Sequence, residues 1–436
     1  MLKDNEKVGA VMVVGSGIAG IQASLDLANS GMKVYLVENG ISIGGVMAQL
    51  DKTFPTNDCS MCILSPKLVQ VGRHLNIEVI TNSGLTQLDG EPGNFKASIL
   101  MRPRYIDMEA CTGCGQCAEH CPALAIDAFN QGLKHRKATA IEYPQAVPLA
   151  YSINRDACLG CGLCENICPP KAIRYDEQPA QRELEVGAVI ACPGFEPFDP
   201  ALKPEYGYGR FPNVVTGLEF ERMLSASGPY KGHVLRPSDG KVPRKVAWIQ
   251  CVGSRDARCG NEYCSAVCCM YAIKEAVIAK EHEARVEPSI FYMDMRAYGK
   301  DFEKYYVRAK EETGVQFIPY RPSSVQEDEE TGNLLLHYED SEGHPQVADF
   351  DLVVLSTGLA RPKGSDELAQ TLNIELDKYG FAITSPTNPV ETTREGILVA
   401  GAFAGPKDIP ETVTQGSAAA SVAMGLLKDS RGTRTK

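Results

Sequence analysis

Two runs of the chain, CTGCGQCAEHCP from Cys111 and CLGCGLCENICPP from Cys158, share the spacing C-x2-C-x2-C-x3-C-P. Thiolates are soft anionic ligands, and four at this spacing wrap a short loop around a four-iron cubane while the glycines let backbone N–H groups reach its sulfides. In a doubled run the fourth cysteine of each half serves the other cluster. Cys111, Cys114, Cys117 and Cys168 are therefore expected to hold one [4Fe–4S] cluster, and Cys158, Cys161, Cys164 and Cys121 a second. Zinc or redox thiols are alternatives that the duplication disfavours. A third group lies in CVGSRDARCGNEYCSAVCCMY, residues 251–271. Cys251 ends a strand-like run. Cys264 and Cys268 stand at i and i+4 on what reads as one helix, with Cys269 adjacent. These four thiols could converge on a third cluster at the first helical turn, where the dipole favours thiolates. Spacing alone also allows buried cysteines, redox-sensing cysteines or zinc. Cys259 is the spare.

The elements that must position these groups read as nucleotide-binding folds. GAVMVVGSGIAGIQASLDLANSGMKVYLVEN, residues 9–39, is strand, turn, helix, strand. Gly15, Gly17 and Gly20 supply the tight turn, close approach to a pyrophosphate and helix–strand packing, and Ser16, Ile18 and Ala19 complete the loop. Glu38, followed by Asn39, ends the second strand where an acid can bond ribose hydroxyls. Gly44 and Gly45 follow, as in the second glycine pair of flavoproteins with two dinucleotide domains, so the expected ligand is FAD. The far end agrees. GILVAGAFAGPKDIPETVTQGSAAASVAMG reads as a strand to Ala400, a turn at Gly401 and a helix starting near Gln415 and Gly416, whose positive end would face a reduced flavin. Ala402 and Phe403 stand where that segment usually has an Asp.

The segments GAVIACPGF (Gly187–Phe195) and DLVVLSTGL (Asp351–Leu359) resemble the short turns at crossings between two nucleotide domains. Cys192, in the first, reads as a small buried residue. RKVAWIQCVGSRD would open the second nucleotide domain, but where a nicotinamide cofactor needs GxGxxG it offers Cys251, Val252, Gly253 and Ser254. The phosphate cradle is lost. The expected fold is α/β, a thioredoxin-reductase-like flavoprotein of two dinucleotide-binding domains with an inserted two-cluster bacterial ferredoxin domain. Its expected segments are flavin domain 1–101, ferredoxin insert 102–178, flavin domain 179–240, degenerate NAD(P)-type domain 241–360 and closing flavin segment 361–436.

A formal charge of −11 repels nucleic acid and anionic membranes. The apolar start runs into a glycine loop without a cleavage-site pattern, and no window approaches a membrane span. With 16 cysteines, eight of them in the two regular clusters, the expected compartment is the reducing cytoplasm.

NDCSMCILSPKLVQVGRH, the paired cluster motifs and CVGSRD…YCSAVCCMYAIKEA together resemble the flavin-containing A subunit of heterodisulfide reductase and its bacterial relatives. The resemblance covers nearly the whole chain. It implies that Cys251, Cys264, Cys268 and Cys269 bind a non-ferredoxin [4Fe–4S] cluster, giving FAD and three clusters in all. It also implies an electron-transfer subunit in a hetero-oligomer with other redox subunits, served by ferredoxin or another low-potential carrier, and flavin-based electron bifurcation or its reverse. Larger family members carry terminal cluster domains not seen here, so the expectation is a core form similar to modules attached to benzoyl-CoA reductases and sulfur-metabolism complexes. Lys407 is the candidate hydrogen-bond partner or proton donor near flavin N5. Cys59 and Cys62 stay open between a local structural pair, a dithiol exchanging electrons with FAD, and ligands to a cluster completed elsewhere. A stand-alone NAD(P)H oxidoreductase is disfavoured by the missing second fingerprint. A redox-sensing scaffold would need neither FAD nor several clusters.

Overall fold

The computed structural model describes residues 7–435; residues 1–6 and 436 of the expected flavin segments lie outside them. The chain divides into two compact units. Of the described residues, the first takes 7–48, Ile63–Phe195 and 361–435; the second takes Gln49–Cys62 and Glu196–Ala360.

The first unit is built on a parallel sheet of five strands in the order Ile397–Val399, Ala188–Ala191, Ala10–Val14, Lys33–Val37 and Ile77–Ile80. The strands AVMVV, AVIA and ILV are almost wholly apolar because a parallel sheet is covered on both faces. Helix Ile18–Asn29 follows the first strand and packs on helix Ile409–Leu426, a contact close enough that a Cβ on Gly416 would sit 2.8 Å from the Ala19 carbonyl oxygen. An antiparallel meander of Ser83–Glu91, Asn94–Met101 and Ala180–Val186 lies in the same unit. Met101 and Ala180 pair in register, so the cluster-motif segment leaves one strand and returns on its neighbour. A loop whose ends are already held together costs the parent sheet little order, which suits this position to an insertion.

The second unit repeats the plan with the parallel order Val214–Thr216, Leu352–Thr357, Lys245–Val252, Glu287–Phe291 and Gln316–Ile318. Helix Cys268–His282 follows the central strand, and Trp248 on that strand donates its indole N–H to Glu275 of the helix at 2.8 Å. Two stretches group differently from the expected segments. Residues 196–240 fall in the second unit because Val214–Thr216 hydrogen-bonds along Val353–Leu355 and Glu196–Pro197 pairs with Leu359–Ala360. Residues 49–62 do so because the Asp51 N–H donates to Glu221 at 2.9 Å and Tyr305 donates to Asn57 at 2.7 Å. The chain leaves the first unit after Phe195 and returns at Arg361, each time just past one of the two strand-turn segments. Among the described residues no helix is long and apolar enough to cross a membrane.

Candidate functional site

The first glycine turn has two blocked faces and one open one. Gly15 has φ +98°, and a Cβ there would lie 2.1 Å from the Cys192 carbonyl oxygen. A Cβ on Gly20 would lie 2.0 Å from the carbonyl oxygen of Gly15, so only glycine lets the helix close on the turn. Gly17 differs, since a Cβ on it meets no protein atom within 4 Å among the described residues. Gly17 is also the N-cap of helix Ile18–Asn29, and no side chain caps it. Uncapped N–H groups facing open space above a helix N-terminus fit a pyrophosphate.

Around this cradle, Ser16 is buried and gives Glu38 both its N–H at 2.8 Å and its hydroxyl at 2.5 Å, while Glu38 also accepts from the Gly40 N–H. Ile18 opens the helix and Ala19 abuts Gly401, whose Cβ position is 3.1 Å from the Ala19 methyl. The Gly44 N–H donates to the Ser16 carbonyl at 3.0 Å, and a Cβ on Gly45 would press within 2.9 Å of Gly17 Cα. Asn39 accepts from Arg102 through both its backbone and side-chain oxygens.

The closing segment corrects one expectation. Its helix starts at Ile409 and not near Gln415, because Asp408 and Glu411 form a reciprocal capping box with Pro410 in the first turn. Gln415 is two turns inside, accepting the Gly401 N–H at 2.9 Å and donating to the Pro389 carbonyl, and Gly416 is the packing point against Ala19. Both hold the turn in place, and the helix's positive end belongs to Asp408 and Ile409. The Lys407 ammonium donates to the carbonyls of Gly401 and Gly405 at 2.7 and 2.6 Å. Burial pulls its pKa down to about 8, with Glu411 opposing.

In the insert the two cysteine loops are built alike. Gly115 and Gly162 occupy left-handed N-cap positions before the short helices Gln116–Glu119 and Leu163–Ile167, and Gly113 and Gly160 also have positive φ. Cys111, Cys114, Cys117 and Cys168 line one hollow with Ile106, Tyr151 and Ile173. That is the crossed set in which the fourth cysteine comes from the other run. Backbone N–H groups point at sulfur from Ala172 to Cys168 at 3.3 Å and from Gly160 to Cys158 at 3.4 Å. Cys164 meets the Tyr175 hydroxyl at 2.9 Å, Cys121 donates weakly to the Ala123 carbonyl, and Cys161 is exposed. Burial pushes the Cys117 thiol up to about 12. Among the described residues no three His, Cys, Asp or Glu side chains meet at the point a single metal ion would occupy.

The third cysteine group is arranged differently from its sequence reading. The helix starts at Cys268, so Cys264 lies in the loop before it and not one helical turn away on the same face. Ala266 at φ +64° blocks an earlier start, and Ser265 is pinned to the Ser254 hydroxyl through both its N–H and its own hydroxyl. Cys251 sits at φ +59° where the strand register breaks between Ile249 and Val252, a bulge that re-aims its side chain. Cys251, Cys268 and Cys269 are buried, and their environments are electrostatically linked to one another and to Cys264. Burial raises all three thiols, Cys269 to about 12, while Arg255 and Arg321 pull Cys251 the other way. The Ala266 N–H donates to Cys264 at 3.4 Å. Cys259 faces Asp256, Lys203, Glu205 and Arg321 instead. Gly253, the first glycine of this turn, is covered, since its Cβ position falls 2.0 Å from the Phe198 ring.

Residues 103–169 match the family described as 4Fe-4S dicluster domain, and residues 10–59 match FAD dependent oxidoreductase. Over 413 residues the chain is 52% identical to the A subunit of the H(2)/formate:CoB-CoM heterodisulfide,ferredoxin reductase of Methanococcus maripaludis, a match that covers 94% of this chain and 63% of that one. Over 421 residues it is 41% identical to the A subunit of the Ferredoxin/F(420)H(2)-dependent CoB-CoM heterodisulfide reductase of Methanosarcina acetivorans, covering 96% and 53%. The chain is a homologue of the heterodisulfide reductase A subunit. It spans less than two thirds of the length of these relatives. Thioredoxin reductase of Lactococcus lactis aligns at TM-score 0.54 and 15% identity over 97% of this chain and all of that one, and this shows the two-dinucleotide-domain fold alone. An FAD-type domain and iron–sulfur cysteine motifs are therefore both present in this oxidoreductase homologue.

Several residues that shape these sites carry no signal in the sequence. Arg104 is buried and ties the start of the insert to the loop after Glu38 through the Ile41 carbonyl at 2.6 Å and Thr81 at 2.8 Å. Tyr143, from the link between the cysteine runs, donates to the Ile43 carbonyl beside Gly44. Phe198 covers Gly253. Each is one residue acting across a long loop, and no spacing marks it.

Proposed function

We propose that this chain holds one FAD and three [4Fe–4S] clusters and passes electrons between them as part of a hetero-oligomeric redox complex. The observation that carries the reading is the contrast between the two glycine turns. Among the described residues a Cβ on Gly17 meets nothing within 4 Å at a helix N-terminus without a side-chain cap, whereas Gly253 is covered by Phe198 and lies two residues after Cys251, which is electrostatically linked to Cys264 and Cys268. FAD would lie on Gly15–Gly20, with Glu38, Asn39, Gly44, Gly45 and Gly401 around it. The clusters would take Cys111, Cys114, Cys117 and Cys168; Cys158, Cys161, Cys164 and Cys121; and Cys251, Cys264, Cys268 and Cys269. When bound, the flavin would convert between two-electron and one-electron transfer and the clusters would carry single electrons.

The chain's own groups would set the conditions for this. The first-turn N–H groups bind phosphate. The burial of Cys268 would exclude water from its sulfur, Cys117 is half-buried, and Arg255 places positive charge beside Cys251. Lys407, lowered to about 8 by burial, keeps a proton near Gly401 under working conditions. The name of the Methanococcus relative sets H(2)/formate against both a CoB-CoM heterodisulfide and ferredoxin. That supports electron bifurcation, or its reverse, as the working mode here, with a ferredoxin-type carrier and other redox proteins of the complex as partners.

The test is cofactor analysis of protein purified without oxygen. One FAD and about 12 iron atoms per chain are expected, from three four-iron clusters. About 8 iron atoms with full FAD would remove the third cluster from the reading.

A further inference from the structure

Cys59 and Cys62 are disulfide-bonded, with Cα atoms 5.2 Å apart, and the remaining fourteen cysteines are free. Cys59 immediately precedes helix Ser60–Arg73 and Cys62 lies in its first turn, both exposed. The Cys62 backbone N–H donates to Cys59 Sγ at 3.1 Å. Ser60, between them, is buried and its hydroxyl is spent on the Leu50 carbonyl at 2.5 Å, which fixes the turn that brings the two sulfurs together.

We propose that Cys59 and Cys62 form a two-electron thiol–disulfide site that exchanges with external dithiols. A disulfide that merely staples a fold is generally buried or closes a long loop. This one closes a short turn at the surface, where it constrains the unfolded chain little. The helix N-terminus stabilises the thiolates that reduction releases, and a C-x-x-C at such a terminus is the arrangement that makes a disulfide exchangeable.

One thiolate of an external dithiol attacks Cys59 Sγ, forming a mixed disulfide as the Cys59–Cys62 bond breaks and Cys62 leaves as thiolate. The second thiol of the reductant, once deprotonated, attacks its own sulfur in the mixed disulfide and releases Cys59. Two electrons and two protons pass to the pair, and the reductant departs as a cyclic disulfide.

This site is independent of the three-cluster reading, and one experiment separates the two. The anaerobically purified protein is equilibrated in buffers of graded dithiothreitol to oxidised dithiothreitol ratio, quenched in acid and alkylated, and the peptide holding both cysteines is weighed. The expected result is a single transition between no label and two labels. It should follow the two-electron law, tenfold in the dithiol/disulfide ratio of the pair for about 30 mV. In Cys62→Ser, incubated with oxidised glutathione in place of dithiothreitol, the Cys59 thiolate should attack the glutathione disulfide and trap one glutathione on Cys59 as the other leaves as thiolate. Iron and FAD should match the wild type in Cys59→Ser and in Cys62→Ser. The proposal is overturned if the pair holds one state across the range. It is equally overturned if either serine variant loses about 4 iron atoms, which would make the pair cluster ligands.

Discussion

Gly17→Ala and Gly20→Ala should fail in different ways, because the structure gives their added methyl groups different neighbours. A methyl on Gly20 would stand 2.0 Å from the Gly15 carbonyl oxygen and 3.0 Å from its carbon, both backbone atoms that cannot swing aside. The helix must lift off the sheet, so this variant should lose several kcal/mol of stability and fold poorly (a cost of about 3 kcal/mol or more marks such backbone collisions). A methyl on Gly17 meets no protein atom within 4 Å among the described residues, and φ −68° with extended ψ suits any residue. The apo fold should therefore change by about 1 kcal/mol at most, the scale of an N-cap substitution. On the proposed reading its methyl stands where the pyrophosphate would approach. Losing two charge-assisted hydrogen bonds at roughly 1.5–3 kcal/mol each removes about 3–6 kcal/mol. That is roughly a 10²- to 10⁴-fold weaker FAD affinity. The assay is FAD released per chain after gel filtration, together with thermal unfolding and iron content. Gly17→Ala with full FAD and unchanged affinity, or with an unfolded first unit and lost iron, would refute the assignment of the open face to the flavin.

Cys268→Ala should lower iron by about 4 atoms per chain and leave FAD bound, because its unit holds neither Gly15–Gly20 nor the doubled motif; iron and flavin analysis of one sample decides it, and joint loss would be the contrary result. The isolated chain should not bleach its flavin with NADH or NADPH, whereas dithionite should reduce both flavin and clusters. Saturable anaerobic bleaching by NADH would restore a stand-alone oxidoreductase. Burial raises the Glu275 carboxyl from 4.5 to about 8 against the pull of Lys274 and Trp248, and one of its oxygens has no partner among the described residues, so the native state holds a proton where the unfolded chain ionises. Stability from this group is full below about pH 4.5 and is lost as pH rises through about 8. Glu275→Gln should flatten the fall in melting temperature over that range, and parallel curves for the two proteins would contradict it.

The parts of this molecule that were legible in its sequence are those whose chemistry forces a local spacing. The glycine loop, the doubled cysteine run and the Val-rich parallel strands each place one residue type at short, fixed intervals, so type and interval carry the signal even though partners such as Cys192 against Gly15 come from far along the chain. The parts that were not legible depend on tertiary packing or on one backbone angle. The interval from Cys264 to Cys268 fits a helical turn, yet Ala266 adopts a left-handed conformation and the helix begins four residues late. Gln415 falls where a helix start was expected, but Asp408 and Glu411 cap the chain earlier, and the D-x-x-E signature with Pro410 was available to find it. Arg104, Tyr143 and Phe198 act across distances no periodicity encodes.

The two parallel sheets explain why the second turn no longer suits a phosphate. In the first unit the strand ends at Val14 and the helix begins at Ile18, so the helix N-terminus stands directly over the strand end and its N–H groups face the cradle. In the second the strand ends at Val252 and the helix waits until Cys268. Residues 253–267 fill the interval with the Asp256-capped turn at Ala257–Cys259, the Ser254–Ser265 pin and the covered Gly253. Uncovering Gly253 by Phe198→Ala would thus expose a glycine without bringing a helix N-terminus to it, and should not create nicotinamide binding. What the long turn does provide is reach. It returns Cys264 toward Cys251 and delivers Cys268 and Cys269 at the head of the helix, drawing donors from a strand end, a loop and a helix. The proposed third cluster would take its four donors from these three elements, whereas the interval between Val14 and Ile18 holds no cysteine.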